Sequence, residues 1–210
     1  MVEIIGWFLF SVFIFRLLRF ATTPLLRKIG FYKYYSPMFM TMPWFFNSYD
    51  LHLGTSWDFA KQNEINPQRI MEFIAHGLIN IAAAIENGNI KSNASFKGNT
   101  FYFKNDNIKK FGFKTRKMNL FESVLFALNY TELCILNSIV KRRLYFIPIK
   151  NVMIVTCKAK DIVQNKQKFE LTMNILRKRN VQRFTKHKSI SHHEIKCQNK
   201  NIGVDQVAAT

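Results

Sequence analysis

The first apolar block runs from Ile4 to Phe15 (IIGWFLFSVFIF), twelve residues without a charge. A helix of that length covers about 18 Å, short of a hydrocarbon core of about 30 Å. The run extends to Val2–Ala21 when Arg16 and Arg19 bury their apolar stems and keep their heads in water, with Trp7 near one interface. Trp7, Phe8, Phe10, Phe13, Phe15, Arg16 and Arg19 are therefore the predicted anchor residues. A single-pass anchor, an in-plane monotopic helix and a helix buried in a soluble core compete for this segment. A cleaved signal peptide fits less well, because the basic residues follow the apolar run instead of preceding it.

Residues 24–47 keep the aromatic density. Tyr32, Tyr34, Tyr35, Trp44, Phe45 and Phe46 alternate with prolines and lysines, and Pro37 and Pro43 exclude a regular helix. The segment reads as a juxtamembrane belt at headgroup level, or as a loop packing its rings on a core.

Periodicity then becomes regular. Tyr49 to Gly54 alternates and predicts a short strand. Asn66-Pro67 is an N-cap followed by proline at the first helical position, opening a helix to about Asn87 with Ile70, Phe73, Ile74, Leu78, Ile81 and Ile85 on one stripe. Glu72, His76 and Glu86 take its other face, where an i,i+4 pair such as Glu72/His76 is ordinary surface electrostatics. Ser95-Phe96 and Thr100–Phe103 flank Lys97-Gly98-Asn99, a hairpin signal. Asn119 and Glu122 form a capping box for a helix from Leu120 to Val140, apolar around most of its circumference and expected to be central and buried. A second membrane span there is opposed by Asn129, Glu132 and Asn137. Leu144–Ile149 and Val152–Cys157 predict a second hairpin through Lys150-Asn151, and a third helix follows over 160–179.

The expected architecture is thus α+β: an N-terminal membrane-anchor helix (1–23), the juxtamembrane segment (24–47), a domain of about three helices and two short antiparallel hairpins (48–179), and a basic, disordered tail (180–210).

Composition sharpens this picture. A chain of 210 residues with 48% hydrophobic residues must bury a core and is not disordered as a whole. Of the net charge of +18, residues 91–118 carry +7 and residues 158–210 carry +8. Such blocks attract polyanions, either nucleic acid or an anionic lipid surface. A lysine-rich composition without a ligand is the plainer explanation. The three cysteines, Cys134, Cys157 and Cys197, are odd in number and unpaired in spacing, which fits a reducing compartment.

Candidate chemistry is sparse. Tyr49 to Phe59 gathers Asp50, His52, Ser56 and Asp58, and on a strand Asp50 and His52 share a face, as acid–base work requires. Aspartate and serine beside a strand are also ordinary turn and cap residues. No Gly-x-Ser-x-Gly or phosphate-loop pattern is present, and His187, His192, His193 and Cys197 match no zinc-finger spacing, so no metal or cofactor is expected. Lys104, Lys109, Lys110, Lys114, Arg116, Lys117, Arg177, Lys178 and Arg179 are the candidates for binding an anionic surface. Phe103, Phe111 and Phe113 interleave with the first of these, a pattern that also suits base stacking.

The functional expectation is a membrane protein, single-pass or monotopic, with its main domain in the cytoplasm. It would be held on anionic lipid by basic patches and act as a non-catalytic interaction or scaffold module for a protein partner. A nucleic-acid or ribosome-associated binding protein is the alternative, and a membrane-bound enzyme using Asp50, His52 and Asp58 the third.

Overall fold

Strand alternation and cross-strand register organise this chain. The computed structural model describes residues 2–44, 46–62, 65–101 and 105–179. Lys104 and the tail from residue 180 lie outside the described residues, as do the side chains of Phe8 and Arg16. Six strands form one sheet: β1 (Lys33–Ser36), β2 (Phe39–Pro43), β3 (Ser48–Leu53), β4 (Ser95–Thr100), β5 (Lys114–Arg116) and β6 (Met153–Lys158). Their order is β1-β2-β3-β4-β6-β5. All neighbours are antiparallel except β3 and β4, which run parallel and are joined by a helical crossover. The described residues hold seven α-helices: α1 (Val2–Lys28), α2 (Ser56–Ala60), α3 (Pro67–Glu86), α4 (Asn105–Lys110), α5 (Leu120–Lys141), α6 (Ala159–Gln164) and α7 (166–179). The α+β class stands; the expected three helices and two hairpins do not.

Where local signals dominate, expectation and structure agree. The Asn66 side chain caps α3 by accepting from the Arg69 N–H, Pro67 takes the first helical position, and Gly88 follows at φ +75. Asn119 and Glu122 exchange the two capping-box hydrogen bonds of α5.

Four departures have tertiary causes. Lys97-Gly98-Asn99 is not a turn but the middle of β4, where a Cβ on Gly98 would lie 3.1 Å from the Leu51 carbonyl oxygen; the glycine permits close approach to β3. Residues 33–43, set apart as juxtamembrane, form β1 and β2, with Tyr32 and Tyr35 buried and Trp44 and Phe46 exposed. Only the second half of the 144–157 hairpin is a strand, since Pro148 leads into a single 3₁₀ turn over Ile149–Asn151. The helix expected over 160–179 breaks at Asn165 into α6 and α7.

The sheet has two unlike faces. Phe39, Phe96 and Cys157 point to the face covered by Leu78, Ile81 and Ala82 of α3, Ile162 of α6 and Phe169 of α7. Burial raises the Cys157 thiol well above its usual range, and Cys134 is a buried free thiol as well, so both are inert. Helix α5 crosses the end of the sheet where β3 and β4 finish. Leu136 and Val140 pack with Leu53, Phe59 and Phe73, while Phe126 and Cys134 pack with Phe101, Ile147 and Val152.

Helix α1 runs 27 residues, about 40 Å, and passes through Pro24 instead of ending before it. Proline cannot donate to the Phe20 carbonyl, four residues back. Trp57 Nε1 donates to that carbonyl at 3.0 Å, and the Trp57 ring stacks on Phe20 at 4.5 Å. The Thr22 and Thr23 hydroxyls bond back to the Leu18 and Arg19 carbonyls at 2.7 Å, so the turn before Pro24 is tied down by side chains.

Two substitutions test this packing. In an exposed helix, glycine to alanine gains about 1 kcal/mol. A Cβ on Gly77 would stand 2.2 Å from the buried Phe39 ring, so Gly77→Ala should reverse that sign and lower stability by about 1–2 kcal/mol, read as a drop of several degrees in Tm. Trp57→Phe should cost about 1 kcal/mol in the wild-type background and less in Pro24→Ala, where the backbone N–H again serves the Phe20 carbonyl; thermal unfolding of the four chains measures the coupling.

Candidate functional site

Strand alternation places Asp50 and His52 on the second sheet face, with Leu51 and Leu53 on the first. Register extends this into a stripe: Met42, Asp50, Lys97, Thr156 and Lys114 stand side by side across β2, β3, β4, β6 and β5. Lys97 Nζ lies 3.6 Å from Asp50 Oδ1 and 5.6 Å from the centre of the Trp44 ring. Arg19 enters from α1, and its guanidinium donates to Asn129 Oδ1 of α5 at 2.7 Å. Burial of the His52 ring pushes its pKa below the usual imidazole range; Arg19 and Lys97 push the same way, and Asp50 opposes them. The ring is accordingly neutral at neutral pH.

Asp58 does not join this pair. Its carboxylate accepts from the Thr55 N–H and hydroxyl at 2.8 Å each, from the Tyr34 hydroxyl at 2.6 Å, and from Arg27 at 3.3 Å. Burial and the Asp58 carboxylate in turn raise the Tyr34 phenol well above its usual range. Ser56 donates to Glu132 of α5. The expected cluster therefore divides into a sheet pair, a helix cap and a helix–helix tie. Among the described residues no three His, Cys, Asp or Glu side chains are placed to hold a metal ion. Lys97 of the stripe and Arg19 beside it are not legible as site residues from the sequence, which points to a turn and a lipid interface; the alternation of Lys97 with buried Phe96 and Gly98 is the signal that places it.

The basic candidates are not equivalent. Arg116 is held by both carboxylate oxygens of Glu122 at 2.6 and 2.7 Å. Arg177 pairs with Glu72 at 3.2 Å, and Arg69 takes the other Glu72 oxygen at 2.9 Å. Glu72 is thus buried under α7, not on an open helix face beside His76. Lys109 and Lys110 end α4, Lys114 and Lys117 lie on and after the edge strand β5, and Lys178 and Arg179 end α7; all six are exposed. Lysine on an edge strand also discourages strand addition.

The largest departure from expectation concerns apolar surface. Helix α5 is long and apolar enough to cross a membrane, yet only 28% of its most apolar window is buried. It is not the central buried helix of the domain. Leu120, Phe121, Val124, Leu125, Ile135 and Ile139 are exposed and fall within roughly 140° of the circumference at 3.6 residues per turn. Phe126, Cys134, Asn137 and Val140 face the body from the opposite side. Leu144, Phe146 and Ile149 are exposed in the segment that follows. On α1, Trp7, Phe10, Phe13, Ile14, Phe15, Leu17 and Leu18 are exposed over roughly 200°. No protein-family model, curated protein or solved structure matches this chain.

A pH profile tests the placement of His52. Its folded-state pKa lies below the unfolded value of about 6.5, so the unfolded state binds the extra proton as pH falls through that value. Stability contributed by the neutral ring is therefore full above pH 7 and lost on acidification. The Tm of the wild type should fall more steeply between pH 7.5 and 5 than that of His52→Gln; parallel profiles would show an unburied imidazole.

Proposed function

We propose that this chain is a membrane-anchored protein whose α+β domain faces the cytoplasm and serves as a non-catalytic interaction module. The exposed apolar circumference of α1 carries this reading. A helix whose described side chains are apolar and exposed over so wide an arc has the pattern of a lipid-embedded segment. Arg19, Arg27, Lys28 and Lys33 all follow the apolar run, which orients the domain to the cytoplasmic side. The outward stripe of α5 meets α1 at the Arg19–Asn129 hydrogen bond and adds a second apolar surface beside it.

Electrostatics supports the same orientation. Lys97 and Lys114 share the sheet face on which Arg27 and Tyr34 dock α1, so positive charge gathers on the anchor side, where each basic residue near anionic lipid contributes about 1 kcal/mol. The nucleic-acid alternative draws less support. Phe111 stacks on Phe169 at 5.6 Å and Phe113 lies 6.4 Å from the same ring, so these aromatics serve the core and not a base-stacking platform.

Flotation with phosphatidylcholine vesicles, with and without phosphatidylserine, tests the proposal. The full chain should float and resist carbonate extraction. Phe10→Asp/Phe13→Asp, costing roughly 6 kcal/mol if both sites reach the bilayer centre, should move it to the soluble fraction while its Tm is kept. Lys114→Glu, on the α1 side of the sheet, should reduce the phosphatidylserine enhancement alone. A wild-type chain that stays soluble and monomeric overturns the reading.

A further inference from the structure

The face of the sheet away from α1 carries a partly open cavity of about 220 Å³ between β2, β3, β4 and β6, helix α3 and helix α7. Leu51 and Leu53 form its floor, Ile74 and Leu78 one wall, and Phe169 and Leu176 the other. Only Asn99, Thr100 and Thr172 among its lining residues carry polar side chains, and the Thr172 hydroxyl is already bonded to the Lys168 carbonyl at 2.8 Å. A cavity so lined offers ordered water, which needs two or more polar partners, few places to bind and favours an apolar occupant. An engineered protein cavity of about 150 Å³ takes benzene, so this one has room for about nine carbon atoms.

Helix α7 closes the cavity, anchored in the core by Phe169 and tied at both ends by ion pairs. Lys166 Nζ pairs with Glu86 Oε2 at 2.6 Å at one end of α3, and Arg177 Nε pairs with Glu72 Oε1 at 3.2 Å near the other. Between these ties α7 presents Phe169, Thr172 and Leu176 to the cavity. At the end formed by Phe111 and Phe169, the Lys168 ammonium donates to the Lys110 carbonyl at 3.2 Å and to Asn165 Oδ1 at 2.8 Å, which leaves one of its three donors for a ligand. Lys109 and Lys110 are exposed at the same helix end. The lining is oily, and these three lysines flank the lining residues Phe111 and Phe169 in the chain or along α4.

We propose that this cavity binds the chain of a single-chain anionic amphiphile, a medium-chain fatty acid of eight to ten carbons, with its carboxylate at Lys168. The site faces away from the anchor and does not depend on it, so bulk lipid is not its occupant. Apolar burial drives entry, and the Lys168 ammonium sets the direction in which the chain lies.

The test uses the full chain in nanodiscs, or in buffer where it needs no lipid, with decanoate bearing a diazirine at its methyl end. Photolabel should fall on α3 and α7 peptides, be displaced by unlabelled decanoate, and drop at least tenfold in Thr172→Trp, which fills the cavity from a half-buried position. Leu176→Trp is the second filling variant, and an unchanged far-UV spectrum shows that each folds. Lys168→Gln should weaken decanoate three- to tenfold and leave decanol unaffected. Label confined to α1 and α5, or undiminished in both filled variants, overturns the site. Equal loss of decanol and decanoate in Lys168→Gln overturns the carboxylate assignment. A chain that proves soluble yet labels in α3 and α7 would sink the membrane reading and keep this one.

Discussion

One buried carboxylate holds α1 to the domain. Asp58 receives hydrogen bonds from α1 through Arg27, from β1 through Tyr34, and from the start of α2 through Thr55. Each donor comes from a different element, and a buried carboxylate deprived of its donors costs several kcal/mol, so the three elements are fixed together. Gly54 makes the arrangement possible, because a Cβ there would stand 2.8 Å from the Asp58 Cβ. Trp57, one residue before Asp58, completes the joint by serving the carbonyl that Pro24 leaves without a donor. The direction in which the apolar half of α1 leaves the domain therefore follows from a five-residue helix.

How far the sequence could be read depended on the range of the interaction. Helix α3 was legible from Asn66, Pro67 and its stripe, and the start of α5 from Asn119 and Glu122, because caps act within one turn. Strand β3 was legible from alternation, including the shared face of Asp50 and His52. Strands β1 and β2 were not, since tyrosines and methionines between prolines describe a lipid belt and a buried hairpin equally well. Gly98 was read as a turn because its reason for being glycine is Leu51, 47 positions away in the chain. Asp58 looked like chemistry by proximity to His52, and only the positions of Tyr34 and Arg27 show that its lone pairs are already taken.

Helix α5 shows a different limit. Periodicity reports how much of a helix is apolar, not what covers it. Its inward face is occupied by the ends of the strands, and its outward face is equally oily and bare. A buried helix and a half-embedded one share this sequence pattern. Their difference lies in how much surface the rest of the chain has left to offer, and here α3, α6 and α7 are already engaged on the other side of the sheet.

That division explains why the ties on the two sides are polar. Burial of apolar surface is favourable but without direction, so it brings helices to a sheet without setting their angle or register. On the side of α3, the Glu86–Lys166 and Glu72–Arg177 pairs fix α7 antiparallel to it. On the side of α1, Arg19–Asn129 and Ser56–Glu132 tie α5 to α1 and α2. Under the proposed placement in lipid the second set matters more, because apolar side chains there gain nothing by leaving one oily neighbour for another and hydrogen bonds between helices become a main source of specificity. Asn129 and Glu132, which oppose a membrane span when read from the sequence, are the groups that tie α5 to α1 and α2.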